Sequence, residues 1–218
     1  MSERMTSAAA AGREASHEFR SGPVASSLLR MAGYGALLAI VTLIVAGVAL
    51  ALFFGGAGDL FGPINDIFTA LTLLLLVPAI LAVRRLGSGV VGDWFTWLSV
   101  LTIGGLLLAA AGFILLVVRV IELQTSFLTF GLGILPFMAW VAALAYVSLR
   151  HGLLSRTVGW WVVAFLAVTV LSLVALPFMP MFLISVTLAP AVFVTLGGGL
   201  IALGRDLLRR SSYERRTA

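Results

Sequence analysis

The sequence predicts an all-α, polytopic membrane helical bundle of six transmembrane helices arranged as three hairpins. Of its 218 residues, 61% are apolar and only 11% are charged. Soluble domains carry about 25% charged residues, because water covers their surface. The chain also contains uncharged stretches long enough to cross the ~30 Å hydrocarbon core of a bilayer, which takes about 20 helical residues. We therefore expect most of its surface to face lipid, with the lipid bilayer as its main partner.

The chain opens with a polar segment, residues 1–30, which we predict to be a disordered cytoplasmic tail. A secretory signal would place a short basic stretch directly before an apolar core of about 7–15 residues. Here the leader is longer, and the uncharged run at residues 31–54 is long enough to span the membrane. We read that run as a retained first span, and the glycines after it as the turn that ends it.

Charged residues and glycines delimit the next three spans. The second span follows Gly62-Pro63 and stops at Arg84, and the third is bounded by Asp93 and Arg119. The fourth stops at Arg150. The predicted spans are residues 64–83, 95–118 and 126–149.

The uncharged stretch at residues 157–204 decides the number of spans. As one straight helix it would be about 72 Å long, more than twice the membrane thickness. Pro177 and Pro180 lie near its middle, and a proline within a helix costs about 3 kcal/mol. We therefore place a turn there, between spans at residues 157–176 and 181–204. Residues 205–218 then form an Arg-rich cytoplasmic tail, and residues 31–204 form one transmembrane domain.

Each returning span carries one proline within it: Pro78, Pro136 and Pro190. This regularity is compatible with three copies of an ancestral hairpin. It is also compatible with bilayer thickness imposing similar spacing on any array of hairpins, which is the simpler explanation. Both explanations stay open.

Arginine placement predicts the orientation. All 14 basic residues are Arg, and every one except Arg119 falls on the side that holds the two termini. Cytoplasmic segments of membrane proteins carry an excess of basic residues, so we predict that both termini are cytoplasmic. The use of Arg without Lys fits a GC-rich genome. We expect a bacterial cytoplasmic membrane protein.

Several chemistries lack the residues that they need. The chain has no Cys, and His17 and His151 both lie outside the spans, so no intramembrane haem or zinc site is expected. Without Lys there is no retinal Schiff base. No P-loop motif is present. The Arg residues lie at helix ends instead of forming a stripe on one face, so nucleic acid is not an expected partner.

Gly56-Ala57-Gly58-Asp59 spells the GxGD signature of intramembrane aspartyl proteases. Those enzymes need a second Asp facing the first inside the bilayer, so that the two share a proton. Asp59 instead falls in a predicted loop, and we interpret the motif as a glycine turn. We predict no catalytic, cofactor-binding or metal-binding residues, with an unrecognised membrane enzyme as the alternative.

The candidate functional residues form a polar group predicted at the outer end of the bundle: Asp59, Asp66, Arg119, Glu122 and Gln124. Ionisable groups at mid-membrane are costly and often functional. The sequence places none there, and Asp66, Arg119 and Glu122 are the nearest to it. A structural interpretation competes with a binding site. In it, Asp66 beside Asn65 caps the second span at its N-terminus, and Arg119 forms a local ion pair with Glu122.

The segment from Gly62-Pro63-Ile64-Asn65-Asp66 through a Leu-rich helix into Arg84-Arg85 resembles uncharacterised multi-pass membrane proteins of actinobacteria. The similarity covers about thirty residues and is compositional as much as motif-like. That family has no assigned activity, so the resemblance implies no functional residues.

Two functions remain open. The first is binding or transport of a small apolar or amphipathic molecule in a cavity shaped by the proline-bearing spans, because interior prolines free backbone groups that protein or cavity water must satisfy. The second is a non-catalytic scaffold or accessory subunit for a partner membrane protein. Small residues four apart, such as Gly35 with Ala39 and Gly105 with Ala109, indicate close helix contacts within the chain or in a homo-oligomer.

Overall fold

A computed structural model describes residues 26–175 and 189–217 of the chain. Within these residues it contains six helices, each long and apolar enough to cross a membrane, so the predicted all-α bundle of six spans is confirmed. The proposed turn at Pro177 and Pro180, and residues 1–25 of the predicted tail, lie outside the described residues. The helices are α1 (Ser26–Phe54), α2 (Phe61–Gly87), α3 (Asp93–Val117), α4 (Leu123–His151), α5 (Arg156–Ala175) and α6 (Ala189–Thr217).

All six helices extend beyond the predicted spans at the end that holds most of the Arg residues, whereas at the other end α3 stops at Val117, one residue inside its predicted span. Helix α1 begins at Ser26, so the last residues of the predicted tail are helical, and α6 continues to Thr217 through the Arg-rich segment. At the Arg-bearing end the predictions placed the boundaries at or next to the nearest charge. A charge marks where a helix leaves the hydrocarbon, whereas the i to i+4 backbone hydrogen bonds continue into the aqueous boundary.

The six helices form a closed ring. Among the described residues, each helix packs against its neighbours in the chain, and α6 packs against α1 to complete the circle. The connections after α2 and α4, together with the C-terminal part of α6, lie at one end of the ring, which we call the Arg-rich end. Trp94, Trp97 and Trp160 are exposed at this end, as expected of side chains anchored at a membrane interface.

Glycines permit the contact that closes the ring. A Cβ built at Gly204 of α6 would lie 2.9 Å from the carbonyl oxygen of Gly33 in α1, and one built at Gly33 would lie 3.0 Å from the Gly204 oxygen. In α1, a Cβ at Gly35 would lie 2.9 Å from the Leu75 oxygen of α2. Any side chain at these positions would force the helices apart. The contact predicted at Gly35 is thus confirmed within the chain.

Buried hydroxyl groups join neighbouring helices. Thr42 of α1 and Thr72 of α2 share a hydrogen bond of 2.8 Å between their Oγ1 atoms. Between α3 and α4, the indole N–H of Trp140 donates to Ser99 Oγ at 3.1 Å. The Thr102 hydroxyl donates a hydrogen bond of 3.0 Å to the carbonyl oxygen of Pro136. Lipid offers no alternative partners for such groups, so these bonds help to set which helix faces meet.

Pro78 and Pro136 lie inside α2 and α4, as predicted. Pro190 lies in the first turn of the described part of α6, and the residues before Ala189 are outside the description.

Candidate functional site

The structure does not assemble the predicted polar group into a site. Asp59, Arg119, Glu122 and Gln124 are exposed, and they lie in or next to two separate turns between helices. Among the described residues, no hydrogen bond or ion pair joins any two of the five candidates. These residues are therefore not a preformed binding site.

Asp66 is not a helix cap. Helix α2 begins at Phe61, with Leu60 at the N-cap position and no side-chain cap bond, so Asp66 lies in the second turn of the helix. Its Oδ1 atom accepts a hydrogen bond of 3.1 Å from the side-chain amide of Asn65. The cap interpretation is wrong because the helix starts before the proline at position 63, which the first turn of a helix tolerates.

Arg119 does not pair with Glu122 either. It terminates α3 in a Schellman motif, in which Arg119 N–H donates to the Leu116 oxygen and Val120 N–H donates to the Leu115 oxygen, at 3.0 and 2.9 Å. The motif requires a left-handed residue, and Arg119 has φ of 59°. Glu122 occupies the N-cap of α4 without a side-chain cap bond. The two residues belong to different helix ends, which explains why the ion pair predicted for one helix is absent.

A cavity of about 50 Å³ lies inside the ring, between α2, α4, α5 and α6. It occupies the half of the bundle nearer the Arg-rich end, since its wall includes Ile80, close to the end of α2, and Val158, in the first turn of α5. Its wall comprises Leu76, Ala79, Ile80, Phe137, Trp140, Val141, Leu144, Val158, Trp161, Val162, Phe165, Thr195, Leu196, Gly199, Leu200 and Leu203.

The cavity wall is apolar in its chemistry. The Thr195 hydroxyl donates a hydrogen bond of 2.8 Å to the Ala191 carbonyl oxygen of its own helix, and the Trp140 indole N–H donates to Ser99 Oγ. A water molecule needs about 10–15 Å³ of such volume and two to four polar partners. The cavity has the volume for several waters but offers them few partners. It therefore suits an apolar group of several heavy atoms.

A second space, a groove of about 370 Å³, runs along the outside of the contact between α5 and α6 at the Arg-rich end. The lining of the groove changes from apolar to basic along the axis of α6. Gly198, Ile201 and Ala202 line the part nearer the membrane, and Arg205 and Arg209 line the part nearer water. The groove is amphipathic along its length.

Trp161 of α5 forms a wall of both spaces. Its indole lies directly against the backbone of α6 at Gly198, because a Cβ built at Gly198 would lie 2.6 Å from two atoms of the indole ring. The indole is 36% exposed, so part of it faces the groove. Trp161 thus lies between the inner cavity and the outer groove and lines both.

Sequence reasoning missed this region. Neither Trp161 nor Gly198 was among the candidate functional residues. The sequence feature that could have located this region is Gly197-Gly198-Gly199, a run of three glycines within a span of otherwise bulky residues. A glycine within a helix is destabilising by about 0.5–1 kcal/mol relative to Ala, so a run of three indicates that another group approaches the backbone closely.

The class of protein follows from the six apolar helices, which make the chain an integral membrane protein. Comparison with protein-family models, with curated proteins and with solved structures gave no match. In the described part of the chain, no three His, Asp or Glu side chains are grouped as metal ligands. The function is therefore argued from the cavity and the groove.

Proposed function

We propose that this membrane protein binds a small apolar molecule, or the apolar tail of an amphipathic one, in the cavity inside its helix ring. The observation that carries this proposal is a partly open cavity between four helices, with a wall made mainly of aliphatic and aromatic side chains. Ligand sites are typically concave and mostly apolar, and they occur between the helices of bundles.

The wall favours binding without chemical transformation. No side chain that lines the cavity is titratable, so no group there is suited to general acid or base catalysis. We therefore propose a role without catalysis. A scaffold role has less support, because Gly33, Gly35 and Gly204, which would suit a contact with a partner, are used for contacts within the chain.

The Arg-rich end is proposed to face the cytoplasm of a bacterial cell, with the cavity opening in the cytoplasmic half of the membrane. Support comes from the distribution of Arg along the sequence and from the exposed tryptophans at that end.

Quenching of Trp140 tests the binding proposal. Trp140 lines the cavity and is only 3% exposed, so lipids outside the bundle do not contact it. A variant in which Trp94, Trp97, Trp160 and Trp161 are replaced by Phe keeps Trp140 as the sole tryptophan. In bilayers of phosphatidylcholine with brominated acyl chains, we expect its fluorescence to be quenched as a chain end enters the cavity.

Two neighbouring glycines provide the control. Gly199 lines the cavity, and a Cβ there would make only an ordinary contact of 3.9 Å with Trp161. Gly199→Val should fill the cavity and remove the quenching. A Cβ at Gly197 meets nothing within 4 Å, and Gly197 does not line the cavity, so Gly197→Val should leave the quenching intact. Quenching that is absent, or that is equal in both variants, would refute the proposal.

A further inference from the structure

The groove between α5 and α6 has the dimensions and polarity of a site for a membrane lipid. Gly198 and Arg209 are eleven residues apart on α6, which corresponds to about 16 Å along the helix axis. Within that length the lining changes from Ile201 and Ala202 to the guanidinium groups of Arg205 and Arg209. The boundary between hydrocarbon and headgroups therefore crosses the groove.

The positive charge in the groove is not neutralised by the acid beside it. Asp206 Oδ2 accepts from Arg210 Nε at 3.2 Å and from the backbone N–H of Ser155 at 3.4 Å. Arg205 and Arg209 are exposed, and neither has an ion-pair partner among the described residues. Two guanidinium groups one helical turn apart are thus available to an external anion, and Arg is well suited to binding phosphate.

We propose that this groove binds an anionic phospholipid, with its phosphate at Arg205 and Arg209 and its first acyl segment against Ile201 and Trp161. Basic pockets between transmembrane helices at the cytoplasmic side are suited to anionic lipid headgroups. The inference rests on the proposed function and deepens it. The groove supplies the headgroup site, Trp161 lines both the groove and the cavity, and the molecule whose tail reaches the cavity is an anionic amphipath.

The test compares the binding of two lipids that have identical acyl chains to the full-length protein. Native mass spectrometry measures the affinity for phosphatidylglycerol and for phosphatidylcholine. Because each Arg near an anionic lipid surface strengthens binding, we expect the wild type to prefer phosphatidylglycerol by about tenfold or more. The double variant Arg205→Gln, Arg209→Gln should lose this preference. The control Arg150→Gln, at an exposed site on α4 at the same end, should keep it.

Each other outcome has a defined meaning. Equal affinity of the wild type for both lipids, or a preference that survives the double variant, overturns the headgroup site. Displacement of phosphatidylglycerol by millimolar inorganic phosphate alone overturns it in favour of a simple anion site. In a bilayer of brominated phosphatidylcholine alone, the lipid is in large excess and its chains fill the cavity despite the weaker headgroup binding. Absence of Trp140 quenching there therefore refutes the cavity proposal separately.

Discussion

Gly105 of α3 and Gly133 of α4 are packed backbone against backbone. A Cβ built at Gly105 would lie 2.9 Å from the Gly133 carbonyl oxygen, and one at Gly133 would collide with the Gly105 oxygen. In a bilayer no hydrophobic force drives helices together, so close backbone packing supplies much of the attraction. The contact predicted at Gly105 is confirmed, and its partner is Gly133.

Replacing Gly105 by Ala should therefore separate α3 from α4. We expect a loss of about 1–3 kcal/mol, the usual effect of an added group in a filled contact, measured by unfolding of the purified protein. Gly104→Ala is the matched control, since a Cβ there meets nothing within 4 Å. Equal stability of the two variants would contradict the contact.

The hydrogen bond between Thr42 and Thr72 should appear as a coupling energy. In a double-mutant cycle with Thr42→Val and Thr72→Val, we expect about 0.6 kcal/mol, the average for such bonds between membrane helices. The measurement is again unfolding of the purified protein. Thr42→Val combined with Thr102→Val serves as the control, because no hydrogen bond joins these two residues. A coupling no larger than in the control pair would show that the bond contributes nothing.

Arg119→Gly should preserve or raise the stability of the protein. A left-handed conformation costs a residue with a Cβ about 1–2 kcal/mol. Glycine avoids this cost but loses about 0.5–1 kcal/mol through the greater chain entropy that it gives up on folding. We expect a net gain of up to about 1.5 kcal/mol, measured as a higher melting temperature. Arg119→Ala should show no such gain, since it removes the side chain and keeps the backbone strain.

The opposite substitution, glycine to alanine, tests the same backbone-strain interpretation at the end of α1. Helix α1 ends in the same motif, with Gly56 at φ of 78° and free space around its Cβ position. Gly56→Ala should therefore be destabilising through the backbone alone. A destabilising Arg119→Gly would indicate that the Arg119 side chain has a role of its own.

The topology can be tested with single cysteines in this Cys-free chain. Cysteine at Asp59 or Gln124 should react with an impermeant maleimide in intact cells, because these residues are exposed at the end opposite the Arg-rich end. Cysteine at Ser88 or His151 should react only after lysis, as both are exposed at the Arg-rich end. Labelling of position 88 in intact cells would overturn the proposed orientation.

The sequence was sufficient for the number and order of helices but not for the site. Long uncharged runs that end at Arg84, Arg119 and Arg150 locate three of the spans, because lipid excludes charge and this is a property of each segment alone. Asp66 and Arg119 were misinterpreted because their roles depend on where a helix begins or ends, within a few residues. Trp161 and Gly198 are 37 positions apart in the sequence, and only the packing of α5 on α6 brings them together.

Closure of the ring through Gly33 and Gly204 has a consequence for biosynthesis. The ribosome completes α1 through α5 before α6 emerges, so the face of α1 that contains Gly33 has no partner while the earlier helices enter the bilayer. Ring closure is thus a late event that joins the earliest helix to the most recently inserted one. A nascent chain stalled before α6 should therefore expose this glycine face to membrane chaperones and proteases, and crosslinking from position 33 in stalled chains would detect that interval.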